Sequence, residues 1–242
     1  MTLTMIASYS IRKSAAIIGG CVKTAFYMRH KLLDCIRAYI GTGTVEGIVE
    51  LDETSVALSY KGTHKKSGFV MPRPSRHRGG EVKKRGISSE QVCIAYAIDR
   101  NGNIILEPIC TGRISHEDLE RLFRGHITDD AIICTDSHKS YIQFAKDLNL
   151  NHKRIMRGHY KNGIYHINHV NSLHSRFKNW IRRFKGISTK YLINYLYFFK
   201  TLGYFKDDQE VAKNRNWLIY GVTSFSDTRI INFRERKVTF NK

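Results

Sequence analysis

Acidic residues are scarce in this chain: 21 Asp and Glu stand against 40 Lys and Arg, a formal net charge of +19 over 242 residues. A charge that large repels itself in the compact state, so a polyanion is the natural partner. Charge alone leaves DNA, RNA and an anionic membrane surface open. Cysteine is sparse and unpatterned. Cys21, Cys35, Cys93, Cys110 and Cys134 make an odd number with no CxxC pair, which argues against a disulfide framework or a zinc site and for reduced, buried thiols. No apolar run approaches the length of a membrane span, and the N-terminus lacks the three regions of a signal peptide. A cytoplasmic, nucleoid-associated protein is expected.

Hydrophobic residues are plentiful enough, at 42%, to build a core. Residues 8–40 read as two helices. Ser10 can cap the first, which carries Ile11, Ala15, Ala16 and Ile18 on one side; Gly19-Gly20 interrupts it; the second runs from about Val22 to Tyr39 with Phe26, Leu32, Leu33 and Ile36 inward. A helix, a glycine turn and a longer helix bearing Lys23, Arg29, His30 and Lys31 make a helix-turn-helix pattern over residues 1–40; the plain alternative is an αα-hairpin packed on the rest of the chain. Gly41-Thr42-Gly43-Thr44 is a short linker.

Residues 45–60 read as a long strand rich in Val and alternating in polarity. Residues 61–90 break that order with nine Lys or Arg, two Glu and two of the chain's three prolines. A basic arm that tracks phosphates fits this composition, with Lys65, Lys66, Arg73, Arg76, Arg78, Lys83, Lys84 and Arg85 as its contacts. Strands over 92–98 and 104–110 flank an Asn101-Gly102 hairpin turn. Ser115 can cap a helix over 116–124, and 131–135 is a continuously apolar strand of the kind buried on both faces. A helix near 139–148, a strand near 152–156 and helices over 169–184 and 188–205 follow, the last with an aromatic stripe suited to core packing. Three strands can form an antiparallel meander, and the later two can enter in parallel through helical crossovers. Such an α/β plan, a mixed five-stranded sheet flanked by helices over 45–205, is that of an RNase H-like domain, with 206–242 as a C-terminal extension.

Two aspartates invite a chemical reading. Asp52 sits inside the first strand, where Asp is disfavoured. Asp136 ends the buried strand, the position at which an open α/β sheet presents its ligands. Singly, each reads as an ordinary strand or turn residue. Together, on neighbouring strands, the carboxylates would converge and repel unless a cation lay between them. Mg²⁺ or Mn²⁺, which prefer hard oxygen ligands, is the expected cation, and a pair of such ions suits in-line phosphate displacement. A third ligand is expected from a later helix, yet no glutamate occurs between Glu120 and Glu210. Asn171, His174 and Lys178 fall instead at i, i+3 and i+7, one helix face. An Asn171 carbonyl oxygen can bind the metal, and Lys178 can hold a phosphate and offset transition-state charge.

Glu50-Leu51-Asp52-Glu53-Thr54, Thr135-Asp136-Ser137 with Tyr141, and His169-Val170-Asn171-x-x-His174-Ser175-x-x-Lys178 resemble the catalytic domain of bacterial insertion-sequence transposases of the DDE type, in the subgroup whose set is Asp-Asp-Asn-Lys. The run Phe184 to Leu192 resembles that subgroup too, and thirty-five residues separate Asp136 from Asn171, close to the DDE spacing. The resemblance covers roughly residues 8–205. It implies catalytic Asp52, Asp136, Asn171 and Lys178, metal held by Asp52, Asp136 and Asn171, Mg²⁺-dependent cleavage of double-stranded DNA at transposon ends, strand transfer into target DNA, and a homodimer or higher multimer on DNA. Members of that group usually carry a zinc ribbon ahead of the helix-turn-helix; no cysteine precedes Cys21, so a truncated or decayed copy, or one begun at an internal Met, is expected. The competing readings are a structure-specific nuclease of the same fold and a catalytically silent DNA-binding remnant.

Overall fold

The computed structural model of the chain describes residues 1–62, 69–74, 87–156, 161–224, 228–238 and 240. They divide into two compact units. The first is built on Thr42–Leu58 with Arg73–Arg176; the second gathers Met1–Gly41, Ser59–Pro72 and Phe177–Val238. Residues from Phe177 onward group with the N-terminal helices.

The first unit contains one five-stranded mixed sheet. Its strands are β1 (Ile48–Ala57), β2 (Gln91–Asp99), β3 (Ile104–Thr111), β4 (Ile132–Thr135) and β5 (Asn151–Arg154), in the order β3-β2-β1-β4-β5. β1 pairs antiparallel with β2, and β2 with β3; β4 runs parallel to both β1 and β5. This is the meander with two later parallel strands that the sequence pattern calls for. β1 is shorter than the 45–60 expected. Gly47 takes a positive φ of 62°, which breaks the extended run, and Val45 ahead of it makes an isolated bridge to Ile127. Pro108 sits on edge strand β3, where its missing N–H leaves no central ladder bond unmade.

Alternation along β1 sends Val49 and Leu51 into one apolar layer with Ala95, Leu119, Phe123 and Phe144. Leu119 and Phe123 come from α4 (His116–Phe123), which begins at a capping box between Ser115 and Asp118. Phe144 comes from α5 (Lys139–Asp147). The opposite face of β1 meets α6 (Asn168–Ile181) through Glu50 and Asp52.

The second unit is helical: α1 (Thr2–Ile6), α2 (Ile11–Ile17), α3 (Val22–Ile40), the end of α6, α7 (Leu192–Tyr204), α8 (Glu210–Thr223) and α9 (Ile230–Glu235). Ser10 caps α2 by accepting from the Lys13 N–H, and Gly19 takes the positive φ that ends it, as the sequence suggests. α1, α8 and α9 are additions that the sequence pattern does not resolve. α3 packs against α2, α7 and α8. The aromatic stripe of α7 is core: Tyr195, Leu196 and Phe198 are buried, and Trp180, Phe184 and Trp217 stack around Phe198. His30 is buried beside Tyr191, and burial pushes its imidazole down to about 3, so it is neutral at ordinary pH.

Arg29 departs from the expectation of a DNA contact. It is wholly buried, and its guanidinium donates to the Tyr9 carbonyl (2.7 Å) and the Ser14 hydroxyl (2.8 Å). Lys23 and Lys31, on the same helix, are exposed. All five cysteines are free; Cys93 and Cys134 are buried, whereas Cys21 is exposed at the start of α3. No helix among the described residues is long and apolar enough to cross a membrane.

Candidate active site

Asp52 lies in the middle of β1, on the face opposite the apolar layer, with one-fifth of its side chain exposed. Its register partner on β2 is Tyr96. The His174 ring stands edge-on to Tyr96 at 4.4 Å between centroids, and its Nδ1 is 3.6 Å from Asp52 Oδ2. His174, which the sequence pattern left without a role, is thus the residue of α6 that stands against Asp52.

Asp136 follows β4 directly. Glu50 pairs with Cys134 in the parallel β1/β4 ladder. The ladder ends there; Asp52 follows two residues further along β1, and Asp136 two residues after Cys134, just past the carboxyl end of β4. Asp136 is exposed, and its Oδ1 accepts from the His138 N–H (2.9 Å) at the N-cap of α5. Thr135, buried just before it, donates to the Asp136 carbonyl (2.6 Å) and lies 2.8 Å from His152 Nε2, which braces the turn.

Asn171 is exposed in the first turn of α6, one turn before His174; Lys178 is exposed seven residues on. The helix therefore presents Asn171, His174 and Lys178 along one side, with His174 the member turned to the sheet. Of the arm residues, Arg73 donates to the Leu58 carbonyl (3.3 Å) and to the Pro74 carbonyl (3.0 Å). Lys65, Lys66, Arg76, Arg78, Lys83, Lys84 and Arg85 lie outside the described residues.

Beside Asp52 is a polar cluster that sequence reasoning missed. Glu50 is buried, with 1% of its side chain exposed. Its Oε2 accepts from the His169 N–H (2.8 Å) and the Val170 N–H (3.0 Å), two of the donors that the first turn of a helix leaves unmatched. Its Oε1 is 2.6 Å from Arg100 Nη1, 2.7 Å from His169 Nδ1 and 3.1 Å from His166 Nδ1. Glu50, His166 and His169 are close enough together to suggest a metal site. The Arg100 guanidinium, however, stands 2.6 Å from Glu50 and 2.5 Å from His169 Nδ1, where a cation would have to sit. The cluster already has its positive charge, and burial together with Arg100 lowers the pKa of His166. On the other face of β1, the Tyr141 hydroxyl donates to Glu53 Oε2 (2.7 Å); burial and then the Glu53 charge raise that hydroxyl well above its ordinary value, which keeps it a donor.

Comparison with known proteins places this chain among transposase domains. A family model for the ISXO2-like transposase domain matches residues 44–200, and the chain belongs to that family. It is 25% identical over 189 residues to an uncharacterised protein in transposable element ISH50 of Halobacterium salinarum. That alignment covers 77% of this chain and 62% of the relative, so the chain spans less than two thirds of the relative's length. Among solved structures it is similar to a pre-cleavage Mos1 transpososome at a TM-score of 0.24 and 10% identity, over 90% of this chain and 75% of that one, too low to establish a shared fold.

Proposed function

We propose that this chain is a DDE-type transposase of the Asp-Asp-Asn-Lys subgroup, which cuts DNA at insertion-sequence ends and joins the freed end to target DNA on an RNase H-like sheet. The observation that supports the reading is the parallel β1/β4 ladder, which ends at Glu50 opposite Cys134, two residues before Asp52 on one strand and two before Asp136 just past the other. The donor set suits the expected cation: two carboxylates and the Asn171 amide offer hard oxygens, which fit Mg²⁺ or Mn²⁺ and not a soft metal. Two such ions, when bound, would activate a water or a 3′-hydroxyl and stabilise the leaving oxygen. In the cleavage step water attacks the phosphorus and the P–O3′ bond breaks, leaving a 3′-hydroxyl. In the joining step that hydroxyl attacks a target phosphodiester, and the target's own 3′-oxygen leaves. Asp52 and Asp136 would hold the ions that position the reacting phosphate, Asn171 would complete the shell without adding charge, and Lys178 would offset charge on a phosphate oxygen.

DNA is the partner that the net charge of +19 and the family membership favour together. Lys23 and Lys31 of the N-terminal helix-turn-helix and the arm over 61–90 are the proposed phosphate contacts, in a protein that works as a homodimer or larger multimer on paired ends. Deleting residues 61–90 is expected to weaken binding and flatten its salt dependence. The slope of log K against log salt falls by about 0.9 for every phosphate that is no longer neutralised. A mobility-shift series from low to moderate salt measures this; an unchanged slope would remove the arm from the interface.

The function is tested with a labelled duplex carrying the terminal repeats of the element that encodes the chain, in Mg²⁺, Mn²⁺ or EDTA. Nicks at the ends that require metal, followed by joined products with a target plasmid, are the expected result. Nicks without joined products would favour a nuclease, and binding without nicks would favour a silent DNA-binding protein.

A further inference from the structure

We infer that Glu50 and Glu53, the two glutamates near Asp52 on β1, are positioning residues that clamp to this strand the helices belonging to the other two metal-binding positions. The inference rests on the proposed roles of Asp52, Asp136 and Asn171. It adds a task for side chains that those roles leave unexplained.

A buried carboxylate is costly unless it is fully paired, and an apolar residue at position 50 would hold α6 with less desolvation. Glu50 is buried all the same, and its contacts are directional. Oε2 takes two backbone N–H groups of the first turn of α6, and Oε1 takes Arg100 and the His169 ring. Arg100 is itself tied to the Ile164 carbonyl (3.2 Å), so the segment leading into the helix is held as well. Apolar packing would let α6 rotate or slide. Bonds to its second and third N–H groups fix both its rotation and its height on the strand. Asn171 is the next residue after Val170, so its direction is set within one residue of the clamp.

Glu53 acts through the other face of the sheet. It accepts the Tyr141 hydroxyl, buried in the first turn of α5. That helix starts at the turn where Asp136 accepts from His138, so fixing Tyr141 fixes the turn. Strand β1 thus supplies one ligand at Asp52 and grips α6 from Glu50 and α5 from Glu53. Because neighbouring strand residues point to opposite faces, Glu50 and Glu53, three apart, can reach helices on opposite sides of one sheet.

The test uses the full chain and Mn²⁺ itself, read by the EPR signal of free Mn²⁺, beside thermal melting and cleavage of the labelled end duplex across a metal titration. Glu50→Gln keeps volume and one acceptor but loses the charge. It is expected to melt as a folded protein, to bind Mn²⁺ roughly tenfold to a hundredfold more weakly, and to need correspondingly more metal for half-maximal cleavage. Tyr141→Phe removes one hydrogen bond and should shift both quantities in the same direction by less; it decides the matter if Glu50→Gln does not fold. Asp52→Ala is the reference. If Asp52→Ala loses Mn²⁺ binding while folded Glu50→Gln and Tyr141→Phe bind like the parent, the clamp is overturned and the metal site stands. If Asp52→Ala itself binds Mn²⁺ like the parent, the metal assignment falls and the clamp with it.

Discussion

Asp136→Ala is expected to lower metal-dependent cleavage by about a thousandfold or more, near 4 kcal/mol of transition-state stabilisation at about 1.4 kcal/mol per decade, while DNA binding and folding persist. Asp136 makes the cleaner test of the two carboxylates. Asp52 is half-buried against His174, so its removal also disturbs packing. Asp136 is exposed, and its side chain accepts one backbone N–H at the start of α5, a hydrogen bond of the helix-capping kind worth roughly 0.5–2 kcal/mol. Asp136→Asn separates the two contributions, because an amide oxygen can still accept from His138 while the charge is gone. The Asn variant should melt like the parent and cleave like the Ala variant. Initial rates of end cleavage, melting temperatures and mobility shifts on the three proteins measure this, and parental cleavage by Asp136→Ala would remove Asp136 from the site.

Much of the sheet is legible in the sequence because its signals are local. Asn101-Gly102 specifies the β2/β3 hairpin, Ser115 the start of α4, and the apolar run ending at Thr135 the interior strand β4. The candidate carboxylates are legible for the same reason: an Asp inside a strand contradicts local preference, and an Asp at the end of a buried strand stands where an open α/β sheet presents its ligands. What escapes depends on pairing across long stretches of chain. Glu50 reads as an ordinary polar position of an alternating strand. It is buried only because the N-terminus of α6, more than a hundred residues later, comes down on it. His174 reads as one polar residue of a helix face until Tyr96 and Asp52 are brought beneath it. The grouping of residues beyond Phe177 with the N-terminal helices is likewise invisible, since apolar periodicity shows that a helix face is buried and not against what.

Arg29 is the instructive failure, and it yields the second prediction. Its charge points to DNA, yet it occupies position i+4 between Ala25 and Leu33, in line with Ile36: the buried stripe of α3. Periodicity is the better guide than residue type. Its guanidinium binds the Tyr9 carbonyl and the Ser14 hydroxyl, and lies 5.8 Å and 5.9 Å from the centres of the Phe184 and Phe198 rings. These partners are neutral, and burial lowers the guanidinium's pKa without removing its charge. Arg29→Ala would open a cavity and leave the Tyr9 and Ser14 oxygens without their donor. A loss of about 3–5 kcal/mol is expected, partly offset by relief of a buried charge, so that melting falls by about 6–20 °C. Arg29→Met, which keeps the stem and removes the charge, should lose less. Lys23→Ala and Lys31→Ala make the opposite pair. Both side chains are exposed, so stability should hold within about 0.5 kcal/mol, while the salt slope of DNA binding falls by about 0.9 for each phosphate left unneutralised. Thermal melts and salt-dependent mobility shifts on the four variants separate the effects. Arg29→Ala melting like the parent but binding DNA with a reduced salt slope would return Arg29 to the DNA surface and would mean that α3 packs differently in solution.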